Sequence, residues 1–171
     1  NTFVVQSIAV RPDHYLMELL IIIAALKRAA AKSIWAVIPY YGYARQDRNG
    51  GMHTPITAKL VANLLQTAGA SQVVTVDLHT DQMEGFFEVP LLHLRSADSF
   101  VEALQQEKLE PVVVVSPDFG SHKMAKRLAQ KLGSELAIVD KTRGALAVQS
   151  NSLMGEVRGK SALIVDDICS T

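Results

Sequence analysis

The chain has 171 residues, 49% of them hydrophobic and 20% charged, so a packed core is expected and wholesale disorder is excluded. Lys plus Arg number 17 and Asp plus Glu 17, and this zero formal charge disfavours a protein that coats nucleic acid or an anionic membrane. The single cysteine, Cys169, leaves no internal disulfide and no multi-cysteine metal cage, and fits a reducing, cytoplasmic setting.

Thr2–Gln6 reads as a buried strand. Pro12 and Asp13, the latter as N-cap, open a helix over the apolar run Leu16–Leu26, which is apolar on more than one stripe and so belongs in a core or an interface. Its longest unbroken part, Leu19–Leu26, is too short to cross a hydrocarbon layer of about 30 Å. Ile34–Ile38 is a second strand, stopped by Pro39. Tyr40–Thr54 is a loop by composition, and a helix starting at Pro55 runs to about Ala68, with Gly69 as its stop.

Val73–Val76 is a strand with Asp77-Leu78-His79 at its end, and a turn-rich stretch follows to Pro90. Ser96 caps a helix to Gln106. Val112–Val115, Leu136–Val139 and Ala162–Val165 are strands; His122–Leu132 is a helix ended by Gly133; Ser116–Ser121 and Asp140–Gly144 are loops. The natural boundary is near Arg95, giving units 1–95 and 96–171. The first residue is Asn1, inside a strand, and the last is Thr171, just beyond an acidic strand end, so both ends read as cut from a longer protein.

Apolar strands alternating with helices imply an α/β fold with a parallel sheet covered on both faces. Ligands of such sheets bind at the carboxyl ends of the strands. Those ends are where the chemical groups gather. Tyr41-Gly42-Tyr43-Ala44-Arg45-Gln46-Asp47-Arg48 mixes aromatic, guanidinium and amide groups suited to phosphate and a purine, against the plainer reading of a solvated loop. His79 and Asp118 follow two strands and are able to share a divalent cation, although most histidines ligate nothing; His14, His53, His93 and His122 are weaker candidates. Lys141 and Arg143 lie two residues apart after a strand, where a loop would bring cations to phosphates. Asp166 and Asp167 end a buried strand and suit a sugar diol, or else form a structural acidic turn. Walker A, G-x-G-x-x-G and G-x-S-x-G patterns are absent from the sequence.

Taken together, these motifs resemble the ribose-phosphate pyrophosphokinase family. The resemblance runs the length of the chain and rests on Ile38-Pro39-Tyr40-Tyr41-Gly42-Tyr43-Ala44-Arg45-Gln46-Asp47-Arg48, Pro55-Ile56-Thr57-Ala58-Lys59-Leu60-Val61, Asp77-Leu78-His79, Gly85-Phe86-Phe87, Ser116-Pro117-Asp118, Asp140-Lys141 and Val165-Asp166-Asp167. It implies two phosphoribosyltransferase-like halves: residues 1–95, lacking their first strands, and 96–171, truncated at the sugar-phosphate loop. Each would be a mainly parallel sheet flanked by helices. It implies synthesis of 5-phosphoribosyl diphosphate and AMP from ribose 5-phosphate and ATP, with Mg²⁺, in a homo-oligomer. By resemblance, Arg45 and Gln46 hold ATP, His79 and Asp118 place Mg²⁺, and Lys141 is the catalytic cation. Arg143 contacts the sugar phosphate, Asp166 and Asp167 the ribose hydroxyls, and Thr171 opens the loop for the 5-phosphate. The isolated stretch is expected to be inactive. A non-catalytic relative that regulates active subunits and a phosphoribosyltransferase are the alternatives. Asn49, His53, Leu92 and Phe119-Gly120-Ser121 depart from the family pattern, so its regulation by phosphate or ADP does not carry over.

Overall fold

The computed structural model describes residues 1–107, 109, 111–143 and 148–168, with backbone alone at 141–143 and 148–151. The chain divides into two compact units, Asn1–Arg95 and Ser96–Thr171.

The first unit runs β1 (Thr2–Val5), α1 (Pro12–Arg28), β2 (Ile34–Ile38), α2 (Thr57–Ala68), β3 (Gln72–Val76), a 3-10 segment (Asp81–Phe86) and β4 (Leu91–Leu94). Its sheet has the order β1-β2-β3-β4, every pair parallel. Strands added in sequence order by right-handed crossovers place all their helices on one face. Burial follows from that. The row Val4, Ala36, Val73 and Leu91 lies on the covered face; in the next row Val5 is 67% and Leu92 46% exposed. The second face is covered only in part: Val74 on the central strand β3 is buried, whereas the edge strands expose Val5, Leu92 and Phe3, the last tilted against Trp35 with ring centroids 5.1 Å apart.

The core of this unit joins Leu19 and Ile23 of α1, Ile38 of β2 and Val61 and Leu65 of α2 with Met83. Helix α1 buries Leu16, Leu19 and Ile23 and leaves Met17, Ile21 and Ile22 exposed. Asp13 is not its cap. Pro12, with its fixed φ, starts the helix one residue earlier, so Arg11 takes the cap position and Asp13 sits in the first turn, where the helix dipole favours an acid. Gly69 ends α2 at φ 123°, a conformation that few other residues tolerate.

The second unit runs α3 (Ala97–Glu107), β5 (Val112–Ser116), α4 (His122–Leu132), β6 (Glu135–Arg143), β7 (Val148–Met154) and β8 (Ser161–Ile164). Its strand order is β7-β6-β5-β8. β5 pairs parallel with β6 on one side and β8 on the other, and β7 pairs antiparallel with β6. Alternate residues of β5 thus enter two small cores: Val114 packs with Ala125, Leu128 and Ala129 of α4, while Val113 and Val115 pack with Ala137.

The loop expected at Asp140–Gly144 is corrected. Asp140–Arg143 continue β6 as a two-stranded ribbon with β7, because Ser152–Val148 supply the backbone partners that β5 no longer offers. Gly144 lies outside the described residues. No helix among the described residues is long and apolar enough to cross a membrane.

Candidate functional site

The groups singled out by sequence fall at the carboxyl ends of strands in both units. In the first unit, β2 leads into a loop that is pinned before it reaches its polar residues. Tyr41 is buried; its hydroxyl donates to the Ala58 carbonyl oxygen at 3.1 Å, and its ring meets Phe87 edge-on at 5.9 Å. Burial pushes the Tyr41 phenol well above its ordinary value, so it stays a neutral donor. At Gly42 a Cβ would fall 2.5 Å from Ile8 Cγ2 and 2.6 Å from the Ile8 carbonyl oxygen, so only glycine fits. Tyr43 takes a left-handed φ of 66°. The Gln46 carbonyl then accepts from the Ala58 N–H at 3.1 Å, tying the loop to the first turn of α2.

Arg45 and Gln46 are exposed on this fixed backbone and line an open cleft with Arg48, Gly50, Thr54 and Pro55. Among the lining residues, the Thr54 hydroxyl donates to Asn49 Oδ1 at 2.6 Å and accepts from the Gly50 N–H at 3.0 Å. Two guanidinium groups around a concave loop suit an anion.

His79 follows β3, exposed, beside the buried Leu78. The Thr80 hydroxyl donates to Asp47 Oδ2 at 2.7 Å, which joins the loop after β2 to the loop after β3. Arg45, Gln46 and His79 therefore share one end of the first sheet.

In the second unit Ser116 ends β5 buried, and its hydroxyl donates to the Asp118 carbonyl oxygen at 2.7 Å. Asp118 Oδ1 accepts from the Ser121 N–H at 3.0 Å and from the Ser121 hydroxyl at 3.1 Å, which fixes the carboxylate at the entrance of α4. After β8, Val165 extends the pairing to Val115, and Asp167 N–H donates to Asp166 Oδ1 at 2.9 Å. Burial raises the Asp166 carboxyl above the usual carboxylate value; the Asp167 N–H bond lowers it, and the negative charges of Asp167 and Asp118 raise it further. Asp166 thus feels the negative charges of Asp167 and Asp118 at the ends of neighbouring strands. Carboxylate oxygens are the preferred ligands of a hard divalent cation, a chemistry that Asp118 can supply.

Lys141 and Arg143 are on the ribbon, with a register irregularity between Asp140 and Lys141. Such bulges bend a strand and re-aim what it carries. Thr171 lies outside the described residues, as do Cys169 and Ser170. Sequence reasoning missed the props of the site: the Tyr41 hydroxyl, the Asp47–Thr80 bond and the Ser116–Ser121 pair. The glycine between two tyrosines was the one available signal.

An α/β unit whose strand order reverses at β5, with paired carboxylates after the neighbouring β8, is the phosphoribosyltransferase class of fold. A family profile described as the phosphoribosyl transferase domain matches residues 90–171, and one described as the N-terminal domain of ribose phosphate pyrophosphokinase matches residues 1–69. The ribose-phosphate pyrophosphokinase of Bacillus caldolyticus is 50% identical over 172 residues, covering all of this chain and 55% of that protein. That of Thermosipho africanus is 52% identical over 174 residues, with the same coverage. The crystal structure of phosphoribosylpyrophosphate synthetase from Mycobacterium smegmatis superposes with a TM-score of 0.87 at 44% identity, over 96% of this chain and 54% of that one. The chain belongs to the ribose-phosphate pyrophosphokinase family, and it spans about half the length of the relatives it matches.

Proposed function

We propose that the protein carrying this chain transfers the diphosphoryl group of ATP to the anomeric hydroxyl of ribose 5-phosphate. The hydroxyl oxygen bonds to the β-phosphorus, the bond from that phosphorus to the α–β bridging oxygen breaks, the hydroxyl proton is lost, and 5-phosphoribosyl diphosphate and AMP result. The observation that carries the reading is the placement of Asp118 after β5 and of Asp166 and Asp167 after the adjacent β8, in a chain of this family.

Each residue then has a task set by its chemistry. Arg45 and Gln46 hold the nucleotide: a guanidinium suits phosphate and an amide suits a purine edge. Asp166 and Asp167 accept hydrogen bonds from the ribose hydroxyls. Arg143 and Thr171 bind the 5-phosphate. Lys141 neutralises charge that grows on the diphosphoryl oxygens as the bridging bond breaks. His79 in the first unit and Asp118 in the second are each proposed as a ligand for Mg²⁺, which would supply charge neutralisation and alignment of the phosphates when bound. Holding two substrates in line converts a bimolecular step into an effectively unimolecular one.

Exposed Met17, Ile21 and Ile22 on α1 support a homo-oligomer. Both substrates are cytoplasmic metabolites, and the cytoplasm is the proposed location. The test is product analysis by phosphorus NMR with the complete protein. AMP and 5-phosphoribosyl diphosphate are expected in equal amounts, only when ATP, ribose 5-phosphate and Mg²⁺ are all present. ADP as the product, or no turnover from a protein that binds active subunits of the family, would overturn the reading.

A further inference from the structure

The turn that presents His79 is held in an unusual way. Asp77 has a left-handed φ of 41°, sparsely populated for a residue with a Cβ. Its N–H donates to the Leu94 carbonyl oxygen at 3.0 Å, and the next N–H, that of Leu78, donates to the ring of His93 at Nε2, 2.8 Å away. His93 is on β4, in register with Thr75 on the covered face of the sheet, and its side chain is only 4% exposed.

His93 also stands beside Asp81 and Glu84, with one ligand atom from each of the three within 4.8 Å of the others. Distance alone would make this a cation site. The protons argue otherwise. A main-chain N–H is only a donor, so Nε2 must offer its lone pair; the ring is neutral and carries its proton on Nδ1, 2.8 Å from Glu84 Oε1, to which it donates. Both ring nitrogens are in use. The positive charge is already supplied by Arg95, whose Nη2 lies 2.8 Å from Asp81 Oδ1 and 3.5 Å from Glu84 Oε1.

We propose that His93 is a positioning residue: its ring, oriented by Glu84, grips the Leu78 N–H and so fixes the direction in which His79 leaves the sheet. This rests on the reading of His79 as a metal ligand. A main-chain bond, the buried Leu78 side chain and the Thr80–Asp47 bond also restrain the turn, and His93 supplies the side-chain hydrogen bond to the backbone N–H one residue before the ligand. Partners of that kind, one step removed from a metal, typically change affinity by about 10–100-fold when lost.

The experiment uses Mn²⁺ alone as the probe, its binding to the complete protein followed by electron paramagnetic resonance, with amide exchange at Leu78 measured alongside. His93→Leu keeps the bulk and loses the acceptor; it is expected to weaken Mn²⁺ binding about tenfold and to speed exchange at Leu78. His93→Gln, whose side-chain oxygen reaches the position of Nε2, is expected to restore both toward wild type. Glu84→Leu removes a half-exposed carboxylate and is expected to shift both readouts in the same direction by less; if His93→Leu does not fold, this variant decides. Wild-type binding and exchange in His93→Leu, or in Glu84→Leu where that variant decides, overturn the positioning role if His79→Ala itself loses Mn²⁺. Wild-type binding in His79→Ala overturns the metal reading of His79 and the present inference with it.

Discussion

The two units are assembled from the same parts, parallel strands and crossover helices, yet their strand orders differ. In the first, sequential order sends α1 and α2 to one face. That gives one core of large side chains, Leu19, Ile23, Ile38, Leu65 and Met83, and a second face exposed along its edge strands. In the second, the order reverses at β5. Both sides of β5 are used, and the cores are small, built of Val and Ala with Leu128. A reversal opens a crevice at the strand ends. There the second unit places its carboxylates just past the ends of neighbouring strands, with Asp118 held by Ser121 and Asp166 bonded by the Asp167 N–H. The first has no reversal, and its polar groups ride on loops that must be propped, by Tyr41, Gly42, the Asp47–Thr80 bond and His93. Strand order thus goes with how far past a strand end the site residues lie, two residues for Asp118 and Asp166 but seven for Arg45.

The largest effect that would separate the two units is on stability. Leu65→Ala empties a fully buried position of the large core and is expected to cost about 2–5 kcal/mol. Val114→Ala in the small core removes less and is expected to cost about 1.6 kcal/mol, at roughly 0.8 kcal/mol per methylene. Urea unfolding of both variants checks this, and equal losses would break the contrast. Next comes turnover. Lys141→Ala in the complete protein is expected to lower the rate of AMP formation by about 10²–10³-fold, with ATP affinity changed far less. Near-normal turnover would remove Lys141 from the chemistry.

Smaller, and confined to the first unit, is the effect of Gly42→Ala. The new methyl group meets Ile8 side chain and backbone, so a loss of about 1–3 kcal/mol is expected, read by thermal melting. Weaker ATP binding should accompany it if the loop is what positions Arg45. The smallest effect is electrostatic. Asp118→Asn removes one of the negative charges that raise Asp166, so the Asp166 carboxyl should titrate at lower pH, as carbon NMR would show. A raised carboxyl favours the protonated form in the fold. Its contribution to stability is present below the ordinary carboxylate value and lost as pH rises through the raised one, and Asp118→Asn should narrow that window. An unchanged titration would mean that the carboxylates do not form one cluster.

Much of this was legible in the sequence. Apolar runs announced β2, β3 and β5, and His122–Leu132 with Gly133 matched α4 and its left-handed cap. Leu91–Leu94 was passed over because, on the sheet edge, Leu92 and Leu94 remain exposed and only one side of the strand is paired. β7, with the polar sequence VQSNSLM, and the polar end of β6 owe their strand form to each other, which no local propensity records. Arg45, Gln46, His79 and Asp118 were singled out because strand ends collect chemistry, and each does follow a strand. His93 was passed over because a lone histidine says nothing until its register opposite Thr75 brings it beneath the Leu78 N–H.

The central claim is a division of labour, with the nucleotide held from the first unit and the sugar phosphate from the second. Equilibrium binding of ATP and of ribose 5-phosphate, each measured by calorimetry on Arg45→Ala and on Asp167→Asn of the complete protein, tests it most directly. Arg45→Ala should weaken ATP and leave ribose 5-phosphate unchanged, and Asp167→Asn should do the reverse. Loss of the same ligand in both variants, or ribose 5-phosphate binding indifferent to Asp167, would contradict the account.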